Sequence, residues 1–308
     1  MNTRTFQHIV PFVNYAWWET LLMRLGYAVL LFLWFPPLDI LPPFGSELPF
    51  PNGLGRLGVD FSWALHPQVF PWLQGLLVGA CVVYVVGWAY PIAVTALFFC
   101  YLVVGTLHNS LGSISHYYQM LTLILLGQAL ASWIWTFLPG NAREVFTRSP
   151  AALHSFTTRV TLQLLAGNYV LCALTKLLKS KGLWIWNSQY MPVEFAKIEA
   201  QKFHNNLVPV DMGLGSAFND FCLQHPWLCM VIYAPGLIVE LFAFLLLFGR
   251  GWAFWTGLVV IGMHAVIKVT MNLDFPQHKW MVFIFAVNAP YWIWWFVHQC
   301  RARRRALR

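Results

Sequence analysis

Residues 227–248 read WLCMVIYAPGLIVELFAFLLLF, twenty-two residues in which Glu240 is the single charged side chain. At the rise of an α-helix such a run is about 33 Å long, the thickness of a bilayer's hydrocarbon core. No soluble helix needs so long an apolar run, so this stretch predicts a transmembrane helix with one carboxyl near its middle.

The rest of the chain repeats the pattern. Of 308 residues, 59% are hydrophobic and only 10% charged, whereas a soluble domain carries about 25% charged residues. Runs of suitable length lie near 25–41, 69–87, 90–108, 114–137, 156–178, 227–248, 252–272 and 279–299. The expected fold is therefore all-α, a polytopic membrane bundle of about eight spans with added interfacial helices. Residues 1–24, mixing Trp17, Trp18, Glu19 and Arg24 with aliphatics, predict an interfacial segment, and no removable signal peptide is evident there. Residues 25–300 form the transmembrane domain, with Pro36, Pro37, Pro42 and Pro43 ending the first helix in an irregular stretch. The one substantial polar connection is 179–226, where VEFAKIEAQKFHNNL predicts a short amphipathic helix. No internal repeat is visible.

The formal net charge of +8 gathers in the last eight residues, RARRRALR, so 301–308 reads as a basic cytoplasmic tail and not as a nucleic-acid site. Arg143, Arg148 and Arg159 between spans four and five, and Arg250 between six and seven, fall on the same side as that tail. Both termini are then cytoplasmic and the 179–226 connection faces outward. The compact chain, without a separate luminal domain, suggests a prokaryotic inner membrane. Six cysteines, at 81, 100, 172, 222, 229 and 300, form no CxxC pair and no zinc spacing, so no metal is expected. Cys222 and Cys229 share one connection; they pair if it faces an oxidising compartment, and otherwise are ordinary apolar-face thiols.

Threading the spans brings His108, His116, Lys176, His264, Lys268, Asp274 and His278 to the outer leaflet. Ionisable groups at membrane depth are costly and usually face a bundle interior or a wet cavity, so this convergence marks a candidate site. Glu240 near mid-membrane is protonated, paired or facing water: either a helix-packing hydrogen bond or a proton carrier. Lys176 either snorkels to the headgroups or, desolvated, serves as a base. His116, beside Tyr117 and Tyr118, is an interfacial residue or a ligand contact. His264, deeper in VVIGMHAVIKV, can orient a hydroxyl or relay a proton.

SHYYQML with His116, ALTKL with Lys176, LIVELFAFLLLF with Glu240, and MHAVIKV with His264 followed by Asp274, Phe275 and Pro276 occur in that order. Together they resemble the horizontally transferred transmembrane (HTTM) domain family, which includes the membrane core of vitamin K-dependent gamma-carboxylases; the resemblance covers roughly residues 20 to 300. It implies that Lys176 is a base that deprotonates a quinol, vitamin K-like or otherwise prenylated. It also implies that His116 orients or stabilises the quinol, and that Glu240 and His264 support the pocket as part of the catalytic set. Tyr117, Tyr118, His108 and Asp274 are candidate cofactor contacts. Two departures matter: the chain stops just after the eighth span, without the luminal region that engages peptide substrates, and Thr175 precedes Lys176 where the carboxylases have a lysine pair. Glutamate carboxylation, a lyase reaction, does not follow.

Two function classes remain. One is a quinol-dependent carboxylase-like or oxidoreductase-like membrane enzyme, in contact with membrane lipids and acting on a small molecule, a peptide or a protein. The other is a non-catalytic helper subunit that matures, anchors or exports a partner. A transporter fits less well, since no broken-helix pattern recurs in two halves.

Overall fold

The computed structural model describes residues 13–46, 48, 51–111, 116–138, 152–207 and 214–306. Among them the chain is helical, with no strand. The helices are α1 (Trp17–Leu33), α2 (Phe70–Val86), α3 (Tyr90–Asn109), α4 (His116–Phe137), α5 (Ala152–Lys179), α6 (Met191–Asn206), α7 (Leu214–Gln224) and α8 (Pro226–Leu241). They are followed by α9 (Arg250–Met271), α10 (Pro276–Val282) and α11 (Ala289–Ala306). A 3-10 stretch, Phe242–Leu247, extends α8, and a π-helical turn, Phe283–Val287, follows α10.

Among the described residues, six helical stretches are long and apolar enough to cross a membrane, which fits an integral membrane protein. They are Tyr90–Asn109, Tyr118–Phe137, Ala152–Lys179, Pro226–Leu247, Arg250–Met271 and Pro276–Arg305. The expected count of about eight is thus met for six. The other two runs form 17-residue helices, α1 and α2, each about 26 Å long and shorter than the hydrocarbon core. α1 also begins at Trp17, well before the expected start at 25. It stops at Leu33 because Pro36 and Pro37 supply no backbone N–H and disfavour helical backbone before them. α5 starts at Ala152 and so takes in Arg159, which the sequence placed in the preceding connection; Arg143 and Arg148 lie outside the described residues. α11 runs to Ala306, so the basic tail expected at 301–308 is largely a helix end.

The described residues divide into two compact units, one from within 13–164 together with 288–306, the other from within 165–287. The first is held by an aromatic and polar core. Tyr84 and Tyr90 both donate to Gln128 Oε1, at 2.9 and 3.2 Å, and Gln128 Nε2 donates to Thr161 Oγ1 at 2.8 Å. A buried amide whose donor and acceptor are both engaged fixes how α2, α3, α4 and α5 meet in this unit. Glu19, also buried, accepts from the Ala16 backbone N–H and from Asn288 Nδ2, each at 2.9 Å, and so caps α1. Arg24 is buried as well, donating to the carbonyls of Thr20 and Tyr84 and contacting His154 Nε2 at 3.4 Å. Room for its guanidinium comes from Gly87, where a Cβ would stand 2.0 Å from Arg24 Nη1. Gly87 has φ of 81°, the left-handed conformation that closes α2.

In the second unit α8 and its 3-10 extension pack on α9, and α9 packs in turn on the π-helical turn. Pro235 inside α8 withholds one helical N–H five residues before Glu240, and the helix tightens to 3-10 just after Leu241. The expected surface helix is α6, where Phe195 is buried and Phe203 exposed. Asn272, with φ of 49°, ends α9 in the left-handed region and turns the chain back through Asp274.

Candidate functional site

The expected site residues separate by unit. Lys176, Glu240, His264 and Asp274 belong to the second unit, and His108 and Tyr118 to the first. His116 opens α4 and Tyr117 follows it, but the side chains of both lie outside the described residues. In the first unit Tyr118 is fully buried, its ring packed against Tyr101 and, at 4.9 Å between centroids, against His108.

The second unit places Lys176 Nζ 2.6 Å from each carboxylate oxygen of Glu240. Of the three states left open for Glu240, the structure shows the paired one. Its side chain is 9% exposed and that of Lys176 36%, so the ammonium lies at the rim and the carboxylate beneath it. Lys176 also lies over the ring of Trp184, 5.2 Å from its centroid. A cation held by a carboxylate on one side and an aromatic face on the other is located by more than snorkelling.

Two turns deeper on the same face of α5, Tyr169 sits seven residues before Lys176. Its hydroxyl is 2.8 Å from His264 Nε2 on α9. Tyr169 lies within electrostatic range of Glu240, and His264 within range of Lys176, His278 and Lys279. The two pairs therefore form one cluster across α5, α8 and α9. A neutral imidazole here either accepts from the Tyr169 hydroxyl at Nε2 and carries its proton on Nδ1, or donates from Nε2–H to the Tyr169 oxygen. Nδ1 is buried and has no hydrogen-bond partner in the structure. The rings of Phe275 and His278 pack on His264, with centroids 5.3 and 5.9 Å away.

Asp274, expected as a cofactor contact, is held between two lysines. Its two carboxylate oxygens meet Lys268 and Lys279, each at 2.6 Å, which ties the end of α9 to the start of α10. Partial burial pushes its carboxyl upward, but the hydrogen bonds and charges of the two lysines outweigh this and hold it below the usual carboxylate range. Among the described residues no group of three or more His, Cys, Asp or Glu side chains is arranged to hold a metal ion.

Sequence reasoning missed Tyr169 and Trp184. Tyr169 carried a signal, since a spacing of seven from Lys176 puts both on one helical face. Trp184 carried none: its position over Lys176 depends on the tight turn through Lys181 and Gly182, both at positive φ. Comparison with known proteins assigns no family, because no protein-family model, no curated protein and no solved structure matches the chain.

Proposed function

We propose that this chain is an eight-span, HTTM-like protein of a prokaryotic inner membrane, with both termini cytoplasmic. In this reading it binds a quinol or another lipophilic redox molecule from the outer leaflet, and Lys176 acts on it as a base. The Lys176–Glu240 pair beside the Tyr169–His264 pair carries this reading. Ammonium and carboxylate in contact at low dielectric can exchange a proton to become amine and carboxylic acid, because the neutral pair avoids the cost of two partly desolvated charges. The amine form of Lys176 takes a proton from an approaching hydroxyl, and the resulting ammonium steadies the oxyanion. Glu240 holds the exchanged proton in the interim. In this reading Tyr169 donates to Nε2, and His264 Nδ1–H supplies a buried donor for an oxygen of the same ligand.

A short-chain prenylated quinol added to the detergent-purified protein tests this directly. Growth of quinolate absorbance at neutral pH is expected with the natural chain and is lost with Lys176→Met. It is lost equally with Lys176→Arg, since arginine keeps the charge but does not give up its proton. Quinolate formation that survives both substitutions rules out Lys176 as the base.

One observation favours the helper-subunit reading instead. Lys176 occupies both oxygens of Glu240, as a pair serving only as helix glue would do. Co-purification of a stoichiometric partner, with no lipophilic redox molecule bound, supports that alternative.

A further inference from the structure

Cys222 and Cys229 stand on either side of the tight turn at Gln224 and His225 that joins α7 to α8. The turn is closed by hydrogen bonds from the His225 N–H to the Phe221 carbonyl and from the Cys229 N–H to the His225 carbonyl. Both thiols are buried, at 1% and 0% exposure, in one cluster with Tyr233 and Met271 that Trp184 and Phe218 help to enclose. The two side chains are neighbours in that cluster. The Cys229 thiol donates to the Ser188 carbonyl at 3.2 Å. The other four cysteines lie elsewhere: Cys81 and Cys100 are buried in the first unit, and Cys172 and Cys300 are exposed.

We propose that Cys222 and Cys229 are a dithiol–disulfide site, joined in the native membrane by a bond that staples α7 to the first turn of α8. The structure is that of the reduced form, with the two thiols in one buried cluster and a tight turn between them. A single buried thiol is an ordinary apolar side chain, but two buried in one cluster on either side of a one-residue turn are held where oxidation can join them. One thiolate attacks the disulfide of a thiol–disulfide oxidoreductase, forming a mixed disulfide and releasing one of that partner's sulfurs. The second thiolate then attacks the bonded cysteine sulfur and expels the partner's other sulfur. The new Sγ–Sγ bond costs this chain two electrons and two protons, which leave as the partner's dithiol. Because both sulfurs are buried once α7 has packed, the bond forms during folding and is afterwards shielded from reductants. It requires the 179–226 connection to face an oxidising compartment. Nothing in the proposal depends on Lys176.

Acid quenching of intact cells expressing the full chain, followed by N-ethylmaleimide in denaturant, tests it. No Lys or Arg lies between Lys202 and Arg250, so trypsin releases both cysteines, and no others, on the peptide 203–250. The expected peptide carries no maleimide, is two hydrogens lighter than the dithiol, and accepts two maleimides after reduction. Two maleimides on the unreduced peptide overturn the proposal, as does a mass showing either cysteine bonded to a different one. The readout uses the natural chain, so misfolding of a variant does not enter.

Discussion

Lys176→Met is the most informative single change to the ion pair. It preserves the length and apolar stem of the side chain and removes only the charge, leaving Glu240 as a nearly buried carboxyl with no partner. The carboxyl then has two options. It can stay ionised and bear the several kcal/mol of an unpaired buried charge, or it can take a proton from solvent. With an ordinary carboxyl pKa near 4.3, protonation at pH 7 costs about 4 kcal/mol at 1.36 kcal/mol per pH unit, and this caps the damage. At pH 5 the same step costs about 1 kcal/mol. The sign follows: the folded variant holds a proton that the unfolded chain at pH 7 does not, so its stability rises as pH falls. The exposure of Lys176 lowers the pair's contribution, so a loss of about 2–3 kcal/mol is expected at pH 7, or roughly 3–5 °C in the midpoint of thermal unfolding. Melting curves in mild detergent between pH 5 and 8 should show the variant approaching the natural chain at the acid end. Lys176→Met/Glu240→Met, which removes both charges, should recover most of the loss at every pH. A single variant as stable as the natural chain at pH 7, with no pH dependence, refutes the buried pair.

Three further outcomes follow from the same structure. Gly87→Ala must adopt φ near 81° and displace the Arg24 guanidinium, so it should cost about 2–3 kcal/mol and lower the melting midpoint, while Gly75→Ala, with open space around its Cβ, should be close to neutral. Tyr169→Phe removes the partner of His264 Nε2 and should cost about 1–3 kcal/mol, with a matching loss of quinolate formation if His264 Nδ1–H is a ligand donor. Asp274, its carboxyl held low by Lys268 and Lys279, contributes stability that is present above its unfolded pKa of 3.8 and is lost only as pH falls through its lower folded value. Asp274→Asn should therefore lower the melting midpoint by a similar small amount throughout pH 5 to 8, by about 1 kcal/mol for a partly exposed pair.

The helical character of the chain was legible because hydrophobic run length is a one-dimensional property. Residues 227–248 and 252–272 announced α8 with its 3-10 extension, and α9, within a few residues. Interruption was less legible. The sequence showed Pro36 and Pro37 ending the first helix, but not that the helix would begin as early as Trp17, because Glu19 and Arg24 look interfacial until Asn288 and Gly87 receive them. Glu240 and Lys176 stood out because isolated charge among apolar residues is costly wherever it falls. That the two meet was not readable, since 64 residues and several turns separate them. That Asp274 pairs with Lys268 and Lys279 was not readable either, because the lysines lie on two helices whose meeting depends on the left-handed Asn272.

The central claim is that the Lys176–Glu240 cluster receives a lipophilic redox molecule. Its most direct measurement is mass spectrometry of organic extracts from protein purified in mild detergent, comparing the natural chain with Lys176→Ala and Glu240→Ala. A quinone or quinol enriched with the natural chain and depleted from both variants is the expected result. Ordinary phospholipids alone in all three samples would contradict it and leave the ion pair as a structural joint between α5 and α8.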